Sequence, residues 1–255
     1  MILRELADAV DAGRPVASAT VVRTHRSVPR HAGSRMLVYA DGSTSGTIGG
    51  GAMEQRVVEA ALAALADGTP RLSRYTLLDP ADGDPGVCGG EVDIYVEPHM
   101  PAPVLFVVGA GHVGRAVEEL AQWLGNRTSV WDDRPGLLDE LAAADATHGG
   151  SIEDAITAAG VEPDTAIVVV TRDVELDVTI LPPLLATPAG YIGLMGSRRR
   201  WATTRERLRA AGLGDELLDR VHSPIGVDID AETPEEIAVS VLAEVIAHRG
   251  RRFGE

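Results

Sequence analysis

At 255 residues, 45% hydrophobic and 24% charged, the chain is long enough to bury a core without disulfide or metal staples and has an ordinary globular composition. A net charge of −15 argues against a nucleic-acid partner, and all 23 basic residues are Arg, which excludes Schiff-base, P-loop and kinase lysine chemistry. The single cysteine, Cys88, excludes an intramolecular disulfide framework; no apolar run approaches the roughly 18 residues of a membrane span, and Glu5 and Asp8 interrupt any signal-peptide core, so a reducing, cytoplasmic setting is expected.

In chain order, Ile2, Leu3, Leu6, Ala9 and Val10 recur at helical spacing, and Gly13 supplies a stop. Strands are expected at 16–24 and 36–39, with Asp41-Gly42 as a hairpin turn. Gly46-Thr47-Ile48-Gly49-Gly50-Gly51 enters a helix over 53–66, which Gly68 ends. Strands at 71–78 and 91–97 flank a Gly/Asp/Pro loop containing Cys88, so this half reads as α+β. Pro98, Pro101 and Pro103 predict an extended linker at 98–103 between domains of residues 1–97 and 104–255.

Beyond the linker, strand patterns at 104–108, 128–132, 166–170 and 190–194 alternate with helical patterns at 113–125, 137–144, 151–159 and 175–186. That order predicts a doubly wound parallel sheet. Thr233, Pro234 and Glu236 form a capping box opening a last helix, whose Ile237, Val241, Leu242, Val245 and Ile246 share a face.

Several motifs carry candidate chemistry. Gly109-Ala110-Gly111-His112-Val113-Gly114 is a GxGxxG placed between a strand and a helix, the position of a Rossmann dinucleotide loop. Asp132 and Asp133 end the next strand, where a carboxylate would meet a ribose hydroxyl. The same glycines also serve helix–strand packing, and His112 reads equally as a ligand contact or a solvent-facing helix start. Gly49–Gly51 is either an anion cradle of backbone N–H groups or a crowded strand–helix corner, and Glu54 either a ligand residue or a partner of the helix dipole. Residues 23–35 hold Arg23, Arg26, Arg30 and Arg35 with His25 and His31 and no acid, which suits an anionic ligand or partner. Gly196-Ser197-Arg198-Arg199-Arg200 repeats the theme at the carboxyl end of a strand. Cys88, between Val87 and Gly89-Gly90, is either an inert thiol or an open, reactive one.

Taken together, Pro29–Val38, Gly46–Glu54 and Cys88-Gly89-Gly90-Glu91, followed by Gly109–Gly114, Asp133-Arg134-Pro135, Tyr191–Arg199, His222–Gly226 and Thr233–Ser240, resemble the XdhC family of xanthine dehydrogenase accessory factors across nearly the whole chain. The resemblance implies an N-terminal α+β domain and a C-terminal Rossmann-like domain. It implies binding of molybdenum cofactor (molybdopterin), support of its sulfuration with a cysteine desulfurase, and delivery to a xanthine dehydrogenase-type molybdenum hydroxylase. Cofactor contacts are then expected from Arg30, Gly49, Gly50, Gly51, Glu54, Cys88, Gly109, Gly111, His112, Gly114, Asp133, Ser197 and Arg198, with Cys88 as the soft metal ligand and a nucleotide as the alternative occupant of the Rossmann loop. A homodimer is an expected assembly. Ala52 stands where a branch linked to carbon-monoxide dehydrogenase maturation carries a cysteine, and Thr171-Arg172 stands where many members carry Thr-His. A rival reading is an NAD(P)-dependent oxidoreductase, although without Lys no Tyr-x-x-x-Lys acid–base pair exists. A third is an interaction module that has kept only the fold.

Overall fold

A computed structural model describes residues 2–76, 90–141 and 144–252, the last two of these by backbone alone. The chain divides into two units, made mainly of Met1–Pro101 and Ala102–Arg251.

The first unit opens with α1 (Ile2–Asp11) and β1 (Val16–His25), and continues through β2 (Arg35–Tyr39), β3 (Thr44–Gly46), α2 (Gly51–Asp67), β4 (Arg71–Thr76) and β5 (Glu91–His99). Its sheet has the order β3-β2-β1-β5-β4, antiparallel throughout. Alternation along the strands gives each face its own partner. Ala17, Ala19, Val21, Met36 and Val38 pack against Met53, Val57, Ala61 and Leu65 of α2. Val16 and Leu37 turn the other way, onto Ala9 of α1. Leu3, expected on the apolar face of α1, is instead exposed.

The expected linker begins later than the prolines suggest. β5 runs on through Pro98, which pairs with Ala17 of β1. The partner β4 has already ended, its last contact being Arg71 with Val96. One side of β5 is therefore an edge at Pro98, where a missing N–H does no harm.

The second unit comprises β6 (Val104–Val108), α3 (His112–Trp123), β7 (Arg127–Trp131), α4 (Pro135–Leu138), β8 (Ala146–His148), α5 (Ile152–Ala159), β9 (Ala166–Val169), α6 (Val174–Leu185), β10 (Tyr191–Leu194), α7 (Arg198–Ala210), α8 (Asp215–Leu218), β11 (Val221–His222) and α9 (Pro234–Arg252). The sheet is parallel, in the order β11-β10-β9-β6-β7-β8. Counted from β8, that is the 3-2-1-4-5-6 order of a Rossmann fold. Val117 and Ala121 of α3 and Val241, Leu242 and Val245 of α9 cover Leu105, Val107 and Val168 on one face. Helices α5, α6 and α7 cover Phe106, Val108, Ile167 and Val169 on the other. Burial on both faces is why these strands read as unbroken apolar runs.

Of the helix expected over 137–144, α4 covers only 137 and 138; residues 139–141 and 144 are not helical, 142 and 143 lie outside the described residues, and β8 follows from Ala146. The Asp145 carboxylate accepts from the Thr128 amide at 2.7 Å, which fixes the approach of β8 to β7. The capping box forms as expected: Glu236 accepts from the Thr233 amide, and Thr233 Oγ1 accepts from the Glu236 amide.

Candidate functional site

Around the triple glycine, Gly49, Gly50 and Gly51 all have positive φ (142°, 83° and 71°). No other residue type adopts three such conformations in a row at low cost. The turned backbone aims the amides of Ile48, Gly49 and Gly50 at one atom, Glu54 Oε1, at 2.9, 3.1 and 2.8 Å, and the Thr47 hydroxyl joins them. An anion cradle therefore exists, and the anion it holds is the chain's own. Burial would raise the Glu54 carboxyl, but the bonds from Thr47 and from the Gly50, Ile48 and Gly49 amides outweigh it and hold the pKa below the ordinary value.

Two further segments meet this loop. A Cβ on Gly49 would lie 2.9 Å from Pro29 Cγ. One on Gly90 would lie 2.2 Å from the Ser27 oxygen and 2.9 Å from the His25 oxygen. The loop bearing Arg26, Arg30 and His31 is thus wedged between two glycines, so three segments distant in sequence converge. Arg23 finds an acid after all, Asp93 of β5 at 3.9 Å. Arg26, Arg30 and Arg35 are exposed and have no acidic partner among the described residues. Cys88 lies outside the described residues. Beside the loop, a groove of about 780 Å³ runs between the β2–β3 hairpin and α2, lined by Gly42, Thr44, Ala52, Glu54, Gln55 and Glu59 among others.

In the second unit the three fingerprint glycines have two different jobs. A Cβ on Gly109 would meet the Val170 oxygen at 2.8 Å, and one on Gly114 would meet the Gly109 oxygen at 1.8 Å. These two serve strand–helix packing. At Gly111, the N-cap of α3, nothing among the described residues lies within 4 Å of a Cβ, and no described side chain caps the helix. His112 is exposed at that end.

The carboxylates at the end of β7 are both engaged. Asp132 is buried and accepts from the Ala110 amide at 2.7 Å and from the Arg134 amide and guanidinium at 2.8–2.9 Å. Burial alone would raise its carboxyl; the Arg134 and amide bonds prevail and bring the pKa to about 2. Asp133 receives both terminal nitrogens of Arg172, each at 2.7 Å. The expected ribose acceptor is therefore bridged by an arginine from the loop after β9. In the sequence that loop stands out only for its missing imidazole; the signal for Arg172 is an Arg placed two strands over from paired acids at a sheet's carboxyl edge, across β6.

Ser197 caps α7 by accepting from the Arg200 amide at 3.2 Å. Arg198 and Arg199 are exposed. Arg200 turns inward, its Nε 2.8 Å and Nη2 2.7 Å from the fully buried Asp177. The His222–Gly226 segment is pinned beside the carboxyl end of β10: the Ile225 amide donates to the Leu194 oxygen at 3.1 Å, and Glu244 accepts from the Tyr191 hydroxyl at 2.9 Å and from the Gly226 amide. Among the described residues no group of three or more His, Cys, Asp or Glu could hold a metal ion.

One buried acid has no role at either loop. Glu118 of α3 accepts from Thr128 Oγ1 at 3.2 Å, its Oε2 has no partner among the described residues, and burial raises its pKa. An acid whose folded pKa is raised loses stability as pH climbs above its unfolded value of about 4.3, because only the unfolded chain releases the proton there. Glu118→Gln keeps the shape and removes this penalty. Thermal melts are expected to show equal stability at pH 4 and a gain of about 3 °C or more at pH 8.

These features define a two-unit protein: a Rossmann domain with an open fingerprint loop, preceded by an α+β domain whose glycine-rich turn meets an arginine-bearing loop. Residues 105–245 match the XdhC Rossmann domain, and residues 9–76 match the XdhC and CoxI family. The chain belongs to the XdhC family. It is 38% identical over 249 residues to the uncharacterized protein YqeB of Escherichia coli (strain K12), a match covering 96% of this chain and 46% of YqeB, so it spans about half the length of that relative. It is 26% identical over 285 residues to the molybdenum cofactor insertion chaperone PaoD of the same organism, covering 97% of this chain and 88% of PaoD. A crystal structure described as a xanthine dehydrogenase (BH1974) from Bacillus halodurans shares the fold, with TM-score 0.53, 23% identity and coverage of 97% and 96%.

Proposed function

We propose that this protein binds molybdenum cofactor and serves the maturation of a xanthine dehydrogenase-type molybdenum hydroxylase. The observation that carries this reading is the convergence of the Arg30 loop, the Gly49–Gly51 turn and Gly90 in the first unit. The residues suit the group. Molybdopterin ends in a phosphate, and Arg26, Arg30 and Arg35 are cations without acidic partners among the described residues. Its pterin requires hydrogen-bond acceptors, which the groove beside Glu54 holds. When bound, the cofactor supplies the soft molybdenum–sulfur centre that the client hydroxylase uses. Relatives of this chain include a named cofactor insertion chaperone, which supports the same role here.

The finer reading has Cys88 contacting the cofactor or its incoming sulfur, with a cysteine desulfurase as the sulfur source and a cytoplasmic homodimer as the working form. Among the described residues no helix is long and apolar enough to cross a membrane. The Rossmann loop serves as a second ligand site, for a nucleotide or the nucleotide part of a cofactor. The rival reading as an NAD(P)-dependent oxidoreductase has weaker support, because Asp132 and Asp133 are both engaged by arginines.

Co-expression with cofactor biosynthesis, followed by measurement of protein-bound molybdenum and pterin fluorescence, tests the proposal. The parent chain is expected to retain both. Cys88→Ser is expected to lose most of the molybdenum and most client activation while its melting temperature stays within about 3 °C of the parent's. Full retention by the Ser variant removes Cys88 from the site. A parent chain that binds NADPH tightly and no pterin turns the assignment toward the oxidoreductase.

A further inference from the structure

We infer that the groove beside the glycine turn is a pocket for the 2-amino-4-oxopyrimidine edge of a pterin, and that Glu54 is the residue that reads this edge. The inference rests on the cofactor-carrier reading and names the part of the ligand each group takes.

At about 780 Å³ the groove falls within the roughly 300–1,000 Å³ of small-molecule sites. Among the described residues its polar side chains are Thr44, Glu54, Gln55 and Glu59: two carboxylates, an amide and a hydroxyl, with no cation. Such a lining repels a phosphate. It suits a ligand edge that presents N–H donors.

Glu54 is built as a fixed acceptor. Four donors converge on Oε1, so the carboxylate has one orientation and binding need not freeze it. Oε2 makes no hydrogen bond among the described residues and keeps its lone pairs for a ligand. An aminopyrimidinone edge carries two adjacent donors, the 2-amino group and N3–H, next to an acceptor, O4. Glu54 and Glu59 supply acceptors for the donors, and the Gln55 amide supplies a donor for O4. The phosphate end of the same ligand is left to the arginines of the 26–35 loop. Guanine presents the same edge on a different ring system, so the source of the edge has to be separated by experiment.

The test uses the full-length chain without cofactor. Neopterin is titrated by fluorescence anisotropy, with lumazine, which has an oxo group in place of the 2-amino group, and guanosine as competitors. Neopterin is expected to bind at least about tenfold tighter than either, the effect of one hydrogen bond to a charged group. Ala52→Leu fills the groove without touching the Glu54 bonds, and Glu59→Arg reverses charge at an exposed position of α2. Each is expected to weaken neopterin about tenfold or more with an unchanged melting temperature. Glu54→Gln is expected to abolish the preference for neopterin over lumazine. No neopterin binding, equal binding of neopterin and lumazine, tighter binding of guanosine, or indifference to both Ala52→Leu and Glu59→Arg overturns the inference. Molybdenum retention after co-expression is read in the same chains. A parent that retains molybdenum but ignores neopterin sinks the pocket alone, and a parent that retains none sinks the carrier reading.

Discussion

Asp177→Ala is expected to lower the melting temperature by about 6–20 °C. Asp177 has no solvent exposure, and Arg200 reaches both of its oxygens, at 2.7 and 2.8 Å. The same guanidinium donates to the Thr171 carbonyl at 3.0 Å and to the Asp173 carbonyl at 3.2 Å. One arginine thus ties the first turn of α7 to the loop after β9 and to α6. Removing Asp177 leaves a half-buried cation without its counter-charge, a loss of about 3–5 kcal/mol for a buried pair. In a chain of this size each kcal/mol shifts the midpoint by about 2–4 °C. The double variant Asp177→Leu with Arg200→Met removes both charges and is expected to recover much of the loss, because two apolar side chains avoid the desolvation that the pair must overcome. A shift below about 2 °C for the single variant would mean that water reaches the pair and that its geometry counts for little.

The same arginine shows where the sequence stopped being legible. Ser197-Arg198-Arg199-Arg200 reads as one basic cluster facing a ligand, because nothing in the local pattern distinguishes its members. Helical geometry does: Ser197 is engaged as the cap, Arg198 and Arg199 face solvent, and Arg200 points into the unit. Its partner Asp177 is 23 residues earlier, on a helix whose apolar pattern gives no hint of a buried acid. Asp133 fails for a similar reason. Position at the end of β7 is where a ribose acceptor is expected, but the partner Asp133 meets in the fold, Arg172, is 39 residues away and reaches it only once β9 lies beside β6.

What was legible is what local chemistry dictates. The order of strands and helices in the second unit, the fingerprint loop at the first strand and the Thr233 capping box each follow from patterns a few residues long. The short elements β8, β11 and α8 carry too few residues for any periodicity to show, and they exist because neighbouring strands and helices supply their partners. Pro98 misled because a proline excludes an interior strand position only when both flanks are paired, and one flank of β5 is open there. At Gly49–Gly51 the need for unusual backbone was readable, whereas the identity of the anion in the cradle was not, since Glu54 also reads as a simple partner of the helix dipole.

Glu54→Ala is expected to destabilise the first unit by about 2–4 kcal/mol at pH 7, the scale of a charge-assisted hydrogen-bond set that water replaces only in part. The amides of Ile48, Gly49 and Gly50 lose their shared acceptor, and three consecutive positive-φ glycines have little else to hold them in one conformation. Hydrogen exchange at these three amides should rise by at least about tenfold, a local signature that a general loss of packing would not single out. The pH dependence has a definite sign. The folded pKa of Glu54 is depressed below its ordinary value of 4.5, since the bonds from Thr47 and the loop amides outweigh the effect of burial. Its stabilisation is therefore complete above about pH 4.5 and is lost as pH falls through the folded value. Urea denaturation of parent and variant should show a gap that is constant from pH 8 to pH 5 and narrows below about 4.5, as protonation deprives the parent of the same carboxylate that the substitution removes. A gap unchanged down to pH 3 would mean that the turn is held by its own backbone geometry, and the Glu54 carboxylate would then be as free to move as any exposed side chain.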